Sequence, residues 1–306
     1  MEVSANSAGA AAKFRVMPHT GPVDIASTSP PFDHLRSIQR LASARSGHAS
    51  AEHARHQLYV ARDKRSRSNV LVKIASKPGI VYEQELTNEI ESLSTINREL
   101  PDSRYFPLLS EHGRLHDSRI YLIMSLFDEW PLATTISAER TPVSEAAHIR
   151  TMIEVGKAMI DLHGLNIFHV DLNPMNILAR WASGKPVIRI VDFESSYEVA
   201  RHSSGVFYNP PTTSAFSAPE LSLRAPDPRS DIFSLAAVLY TMLAGFEWTW
   251  TADVGRSVRA DPEVSPELKE ILLTAADADP DKRYRSVVEW RAALAAYFER
   301  IWPGRS

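Results

Sequence analysis

Residues 168–178 read FHVDLNPMNIL and residues 188–196 read IRIVDFESS, and these two segments decide the fold. Each segment carries polar side chains among residues that favour burial: Asp171 and Asn176 in the first, and Asp192 in the second. Removing a carboxylate from water is costly unless the charge is paired. Acids that are closely bounded by apolar runs are therefore expected to hold a cation or to handle a proton.

The spacing of these residues indicates the chemistry to expect. Asp171 and Asn176 are separated by a loop that contains Pro174, and Asp192 ends a second apolar run. The apolar runs around them predict a hairpin-like pair of short strands. One acid would accept the proton of a hydroxyl group, while the amide and the second acid would bind Mg²⁺, a hard cation that takes oxygen ligands.

The same residues resemble motifs of the eukaryotic-like serine/threonine protein kinase family, in its bacterial form. HVDLNPMNIL is similar to the catalytic-loop motif H-R-D-L-x-x-x-N, and DFE stands where the family has D-F-G. The resemblance implies an α+β fold of two lobes: a small antiparallel sheet with one helix, and a larger, mainly helical lobe. It implies ATP and Mg²⁺ or Mn²⁺ as cofactors, and protein substrates. The implied catalytic residues are Lys73, Glu89, Asp171, Asn176 and Asp192, of which Asn176 and Asp192 bind the metal.

Composition excludes several other functions. The chain has 306 residues and a net charge of −3, with Lys and Arg scattered along it, so we expect no nucleic-acid partner. It has no cysteine, which excludes disulfides, thiolate zinc sites and thiol catalysis. No apolar run reaches the roughly 18 residues that a membrane span needs, and the N-terminus lacks a signal-peptide core. We therefore expect a cytoplasmic protein.

A lysine and a glutamate complete the expected catalytic set. Two apolar runs around a charged turn predict a β-hairpin over residues 57–74, with Lys73 in its second strand. A helix over residues 83–96 carries Glu89 inside its apolar stripe, where an acid requires a cation. The family pairs the equivalent lysine and glutamate, so the resemblance implies a Lys73–Glu89 ion pair that places Lys73 on the ATP phosphates. Because side chains alternate along a strand, Val70, Val72 and Ile74 are expected on the face opposite to Lys73.

The next segments imply an adenine site. Apolar runs over 106–109 and 119–126 predict two more strands, and a polar break follows at 128–131. This break is similar to the hinge between the kinase lobes, with Met124 as the gatekeeper and backbone groups beyond it facing adenine. The residues that the resemblance places around ATP are Leu58, Leu71, Lys73, Met124, Ser125, Phe127 and Leu178.

Helices are predicted for most of the remaining chain. Ser144 would cap a helix that ends at Gly164. Residues 230–244 predict a helix that is apolar nearly all round, which is typical of the centre of a large lobe. This helix resembles helix F of the family, whose leading acid, here Asp231, holds the backbone of the catalytic loop.

Two further elements resemble the family's platform for a peptide substrate. SAPE over residues 217–220 resembles the A-P-E element, and the resemblance pairs Glu220 with Arg283. Thr213 stands where serine/threonine kinases keep a threonine beside the substrate hydroxyl group. Thr213 and Glu220 are therefore the expected substrate-platform residues.

The resemblance implies one kinase-like domain over residues 33–303. Within it we expect an N-lobe over about 33–124, a hinge over about 125–131 and a C-lobe over about 132–303.

The first 32 residues are rich in Ala, Ser, Thr, Gly and Pro, which predicts a disordered tail. A tail of this kind can also be the export signal of a specialised secretion system. The protein would then be a bacterial effector secreted into a host cell, with a secretion chaperone or a host protein as partner. After the tail, a short helix is expected from the spacing of Leu35, Ile38 and Leu41.

Several positions depart from the family pattern. Ala51, His53 and His56 stand where the glycine-rich loop has glycines, so backbone amides would approach phosphates less closely. The other departures are Leu71 in place of the small residue above adenine, Glu194 in place of the D-F-G glycine, Val170 in place of the arginine that reads an activation-loop phosphate, and Asn173 in place of the lysine near the γ-phosphate.

Three functions remain open at this point. The first is a serine/threonine protein kinase, which the retention of Lys73, Asp171, Asn176 and Asp192 favours. The second is a pseudokinase, a binding module in which the departures have ended catalysis. The third is a small-molecule kinase, since choline- and aminoglycoside-type kinases share HxDxxxxN and a DFE-like metal motif; the A-P-E element argues against it.

Overall fold

The computed structural model describes residues 30–41, 56–134, 136, 142–203, 208, 214–245 and 253–304. The chain divides into two compact units. The first unit comprises Met1–Ser94 and Pro107–Phe127, and the second comprises Thr95–Phe106 and Asp128–Ser306. Strands dominate the described part of the first unit and helices that of the second, which confirms the predicted α+β class.

The first unit contains an antiparallel sheet. Its described strands are β1 (Leu35–Arg40), β2 (His56–Asp63), β3 (Asn69–Ala75), β4 (Leu109–Arg114) and β5 (Ile120–Ser125). They lie in the order β1-β2-β3-β5-β4. β2 and β3 form the hairpin predicted over 57–74, and its apolar face packs into a buried cluster with Val70, Val72 and Ile74, as expected. Helix α1 (Ile80–Glu99) extends the predicted helix over 83–96 at both ends.

The helix predicted after the tail is wrong, because Leu35, Ile38 and Leu41 lie in and just after strand β1. β1 pairs with β2, and its register shifts between Arg36 and Gln39. A bulge in a strand puts residues three apart on the same face, so the apolar spacing imitates a helical period. Leu35 is buried, and Ile38 packs against the same cluster.

Strand β4 starts later than predicted. The apolar run over 106–109 lies before it, and β4 begins at Leu109, where that run ends. Pro107 has no backbone N–H to donate to a neighbouring strand, which explains why pairing starts beyond it.

The second unit contains most of the helices. Its described helices are α2 (Pro142–Gly164), α3 (Val199–His202), α4 (Pro228–Ala244), α5 (Val254–Ala260), α6 (Pro266–Ala275) and α7 (Val287–Ile301). Its short strands are β6 (Trp130–Pro131), β7 (Ile167–Phe168), β8 (Ile177–Ala182), β9 (Lys185–Ile190) and β10 (Tyr197–Glu198). β8 pairs with β6 and with β9, and β7 pairs with β10. β8 and β9 form the hairpin expected from residues 168–178 and 188–196.

Helix α4 forms the centre of the second unit and packs against α2, α5, α6 and α7. Its first turn is fixed by Asp227, whose side chain accepts a hydrogen bond from the N–H of Arg229, and by Pro228 at the first helical position. It ends at Gly245, whose φ of 74° is the left-handed conformation that suits glycine. Predicted over 230–244, the helix thus begins two residues earlier.

Helix α2 also begins earlier than predicted. Its first residue is Pro142, so Ser144 lies inside the helix instead of capping it. Proline is well tolerated in a first turn because the N–H it lacks would have no partner within the helix. Within the described part of the chain, no helix is at once long and apolar enough to cross a bilayer.

Candidate active site

The ion pair predicted between Lys73 and Glu89 is present in the first unit. The Nζ atom of Lys73, in β3, lies 2.7 Å from Oε2 of Glu89, in α1. The lysine side chain is 7% exposed and the glutamate side chain is 0% exposed. Each charge compensates the other, because either one buried alone would cost several kcal/mol.

Three residues predicted to contact ATP lie on the same face of the sheet as Lys73. In the strand register, Leu58 is opposite Lys73 and Leu71 is opposite Met124. Residues directly opposite each other in an antiparallel pair share a face, as do residues two apart in one strand. The first unit therefore brings Leu58, Leu71, Lys73 and Met124 together, on the face opposite to the buried cluster that contains Val72.

The other predicted ATP residues lie at different places. Ser125 ends β5, and its N–H donates to the carbonyl of Leu108 at 2.9 Å, so its carbonyl is the group it would offer to adenine. Phe127 follows β5 and is half-buried, and Leu178 lies in β8 of the second unit. His56, the last of the glycine-loop positions, opens β2. Ala51, His53 and Thr213 lie outside the described residues.

Asp231 holds the backbone of the loop that leads into Asp171. This carboxylate is fully buried at the start of α4. It accepts hydrogen bonds from the backbone N–H groups of His169 and Val170, each at 2.8 Å, and its Oδ2 lies 2.8 Å from Nε2 of His163. Burial raises the pKa of Asp231, but these interactions lower it by more, so its pKa lies below the usual value. The carboxylate expected to hold this loop does hold its backbone.

Asp171 directly follows the two residues that Asp231 holds, and it is partly exposed. The Nδ2 group of Asn176 donates to the Asp171 carbonyl at 2.8 Å and contacts its Oδ2 at 3.3 Å. Asn173 makes the same pair of contacts, at 3.0 Å to the carbonyl and 3.4 Å to Oδ1. Two amides thus contact the carboxylate of Asp171, at 3.3 and 3.4 Å.

Asp192 is joined to this loop through its neighbour. The N–H of Val191 donates to the carbonyl of Asn176 at 3.0 Å. Asp192 itself has a φ of 72°, a left-handed conformation that is uncommon outside glycine. Phe193 is buried and contacts the rings of Phe106 and His169, with centroids 5.9 and 5.1 Å away. These contacts fix the DFE segment on both sides of Asp192.

The donors at Asn176 and Asp192 fit a hard divalent cation. The Nδ2 group of Asn176 is engaged by Asp171, which leaves Oδ1 as the atom that this side chain directs elsewhere. An amide oxygen and a carboxylate are the ligand types that Mg²⁺ and Mn²⁺ take in proteins.

The side chain of Val170 lies in an apolar cluster. Its neighbours there are Phe168 and Tyr197, with Tyr208 and Leu221 packed against them. The rings of Tyr197 and Tyr208 are 5.0 Å apart, and the Tyr208 hydroxyl donates to the carbonyl of Ser195 at 3.2 Å. At Val170, where the family keeps an arginine that binds a phosphate, this chain has an apolar side chain that packs with Phe168 and Tyr197.

The predicted pair of Glu220 and Arg283 is also present. The guanidinium group donates from Nη1 and Nη2 to the two carboxylate oxygens at 2.9 and 2.8 Å, and Ser230 Oγ adds a third hydrogen bond at 2.8 Å. Both charged side chains are buried. Burial raises the pKa of Glu220, but Arg283 lowers it by more, so the carboxylate is held in its charged form.

Sequence reasoning missed several of these residues. His163 and Ser230 contact the two buried acids Asp231 and Glu220. Their signal was present: His163 is a polar residue in the last turn of an apolar helix, and Ser230 directly precedes Asp231. Tyr208 gives no comparable signal, because the sequence around this tyrosine has no apolar periodicity.

Comparison with known proteins agrees with this geometry. The family model described as "Protein kinase domain" matches residues 56–292, which is more than half of the chain. The chain is 30% identical over 194 residues to serine/threonine-protein kinase Pkn1 of Myxococcus xanthus, covering 58% of this chain and 27% of that protein. It is 28% identical over 195 residues to serine/threonine-protein kinase PknB of Mycolicibacterium smegmatis, covering 58% and 30%.

A eukaryotic protein kinase is also similar to this chain, over a shorter stretch. The chain is 39% identical over 129 residues to ribosomal protein S6 kinase alpha-2 of Homo sapiens, covering 42% of this chain and 17% of that protein. The match thus spans less than a third of the length of each of these three relatives. The family match itself covers both units, and this chain belongs to the protein kinase family.

Proposed function

We propose that this chain is an ATP-dependent serine/threonine protein kinase that transfers the γ-phosphoryl group to a protein hydroxyl. One observation supports this most: Asp171 is held on a backbone that Asp231 anchors, with the amides of Asn176 and Asn173 orienting its carboxylate. A site that had lost catalysis would have no need for this arrangement. No observation on the described residues favours the pseudokinase or the small-molecule kinase.

Each residue has a role in this proposal. Asp171 accepts the proton of the attacking hydroxyl group and orients it. Lys73 binds the α- and β-phosphates, and Glu89 positions Lys73 through the 2.7 Å contact. Leu58, Leu71 and Met124 supply the apolar surface against the adenine, with Leu71 narrowing the space for it. The roles proposed for Ser125, Phe127 and Leu178 in binding adenine rest on the sequence motif alone.

Asn176 and Asp192 would hold Mg²⁺ or Mn²⁺. The cation, when bound, neutralises charge on the phosphate oxygens. The protein's own contribution is to present an amide oxygen and a carboxylate from a loop whose backbone is fixed.

Thr213 and Glu220 complete the proposal on the substrate side. Glu220 acts through Arg283 as a positioning residue that fixes the end of the substrate platform. Thr213 lies outside the described residues, so its place beside the substrate hydroxyl rests on the sequence motif alone.

Phosphate transfer from labelled Mg-ATP tests the proposed function. The wild-type chain would be offered a generic basic protein as acceptor, with Asp192→Ala and Lys73→Met as variants and the exposed Asp102→Ala as matched control. We expect transfer to Ser or Thr by the wild type and the control, and loss in both variants. The same transfer by Asp192→Ala as by the wild type would overturn the assigned roles. A wild type that shows neither transfer nor a rise in melting temperature with Mg-ATP would favour a binding module.

The proposed export into a host cell rests on the composition of residues 1–32 alone. Its partners would be a secretion chaperone and a host protein substrate. A secretion assay that compares the full chain with a chain lacking residues 1–32 tests this, and equal export of the two chains would end the proposal.

A further inference from the structure

A groove on the second unit is lined by none of the residues assigned to the candidate active site. Its volume is about 550 Å³, which is within the range of ligand-binding cavities. It is lined by residues of α2, β9 and α7 and by Arg104 and Tyr105, all of which belong to the second unit.

The groove is strongly cationic. Six of its lining residues are basic and two are acidic, whereas the whole chain has a net charge of −3. The basic residues are Arg104, Arg150, Lys157, Lys185, Arg189 and Arg291. The positive charge is therefore a local feature and not a general property of the surface.

Internal ion pairs compensate only part of this charge. Glu154, one of the two acids, pairs with Lys157 at 2.7 Å and accepts a hydrogen bond from the Tyr105 hydroxyl at 2.8 Å. Among the residues that the structure describes, Arg104 and Lys185 have no ion pair, and both are exposed. An anion that enters the groove would meet these charges without displacing an existing partner.

Arg189 shows how closely the cations are crowded. Burial lowers the pKa of its guanidinium group, Glu129 at 3.3 Å opposes that effect, and the neighbouring charges of Arg180 and Arg104 lower the pKa further. Additional negative charge in the groove would reduce this repulsion.

Apolar side chains lie between the cations. Phe298 and Ile188 are buried below the groove, and four half-buried residues complete its apolar lining. These four are Ile153, Pro186, Val187 and Ala295. A matching ligand has an apolar part as well as negative groups.

The spacing of the cations selects the kind of ligand. Arg150 and Lys157 are two turns apart on α2, which is roughly 10 Å along the helix. Lys185 and Arg189 are separated by roughly 13 Å along β9. A single phosphate group is too small to contact cations so far apart, whereas an extended peptide presents side chains on one side every 7 Å or so, about two residues.

We propose that this groove binds an extended acidic peptide segment of a protein partner, with its carboxylates on the basic residues and an apolar side chain on the surface over Phe298. The proposal concerns binding and does not depend on phosphoryl transfer. It gives this chain a means of selecting a partner through residues that are not assigned to the candidate active site.

Fluorescence polarisation with a labelled peptide tests the proposal. The probe is a peptide of about ten residues, rich in glutamate and containing one phenylalanine, compared with the same peptide carrying lysine for glutamate. The variant is Arg104→Glu with Lys185→Glu, two exposed positions whose substitution leaves the buried contacts in place. Arg256→Glu, an exposed arginine on α5, is the matched control.

We expect binding of the glutamate peptide by the wild type, weakening of about tenfold or more in the double variant, and wild-type affinity in the control. Raising the salt concentration should weaken binding, because the charges are partly screened. Thermal melting of each variant verifies that it is folded, and Lys185→Glu alone replaces the double variant if that one is not.

Three results would overturn the proposal. They are no binding of the glutamate peptide, equal binding by the wild type and the double variant, and binding of inorganic tripolyphosphate at the same groove more tightly than the peptide. The last result would assign the groove to a small phosphorylated ligand. Loss of phosphate transfer would not affect any of these measurements, so failure of the proposed function is distinguishable from failure of this one.

Discussion

Asp231 holds the backbone of the loop that carries Asp171, and the surroundings of the two carboxylates differ. Asp231 is fully buried and has three partners at 2.8 Å. Asp171 is partly exposed, and the amide contacts to its carboxylate oxygens are 3.3 and 3.4 Å long. The first carboxylate holds the loop backbone, while the second is partly exposed and lies in the loop that the first one holds. The acid proposed for chemistry is thus the more exposed of the two.

The largest effect is expected from Asp171→Asn. This change keeps the size of the side chain but removes its ability to accept a proton, so phosphate transfer should fall by about 10²–10⁴-fold. The free energy of unfolding should change by less than about 1 kcal/mol, as is usual for partly exposed positions. Single-turnover transfer and urea unfolding measure the two quantities. A large loss of stability with activity retained would reverse the roles given to the two acids.

Asp231→Ala should lower both the free energy of unfolding and the rate of phosphate transfer. The change leaves the buried N–H groups of His169 and Val170 without their acceptor, at a cost of about 1–3 kcal/mol for each group. Because Asp171 follows these residues, transfer should also fall. Urea unfolding of this variant beside Asp231→Asn, which keeps one oxygen acceptor and should lose less, measures the effect. If Asp231→Ala were as stable as the wild type, the anchor would not be what holds the loop.

Low pH should destabilise the folded chain through its buried acids Asp231 and Glu220. The pKa values of Asp231 and Glu220 are lowered in the folded chain, so the unfolded chain binds protons at a higher pH than the folded chain does. The stability that these acids provide is fully present above the ordinary carboxyl pKa of about 4, and it is lost as the pH falls through the lower folded values. Melting temperatures measured from neutral to acidic pH should therefore fall steeply below that point.

Glu220→Gln is the matched variant for that measurement. The amide does not titrate, so the acid slope of its melting temperature should be shallower than that of the wild type, even though its melting temperature at neutral pH is lower. Identical slopes in the two proteins would mean that other groups control the acid transition.

The smallest effect is expected from Asn173→Ala. This change removes the amide contacts of Asn173 with Asp171 and its cap on the N–H of Met175. A hydrogen bond of this kind contributes about 0.5–1.5 kcal/mol, so transfer should fall by about tenfold at most. A shift of kcat with little change in KM for ATP would identify Asn173 as a positioning residue. If phosphate transfer fell as far as it does in Asp171→Asn, the contacts of Asn173 would be as important for transfer as the carboxylate of Asp171.

Most of the buried polar framework could be predicted from the sequence, for a physical reason. Glu89 lies inside an apolar helical stripe, which indicates a buried partner, whereas the role of Asp231 at the start of its helix is implied by the family resemblance. The structure places Lys73 against Glu89 and the loop backbone against Asp231. Periodicity and buried charge are properties that a sequence displays directly.

Other features could not be predicted in this way. The spacing of Leu35, Ile38 and Leu41 predicts a helix, whereas the structure has strand β1, because the bulge between Arg36 and Gln39 puts residues three apart on one face. Ser144 suggested a cap, but Pro142 already starts the helix. The cationic groove is formed by segments far apart in the chain, from Arg104 to Arg291, so its charges appeared scattered in the sequence.

The apolar cluster around Val170 has a consequence for the conditions under which Tyr197, Tyr208 and Leu221 stay packed against it. A phosphate–arginine contact is removed by phosphatases and weakened by salt. Packing between Phe168, Tyr197 and Tyr208 is insensitive to both, but apolar association weakens on cooling. Temperature, and not the balance between kinases and phosphatases, would then be the variable to which this part of the molecule responds.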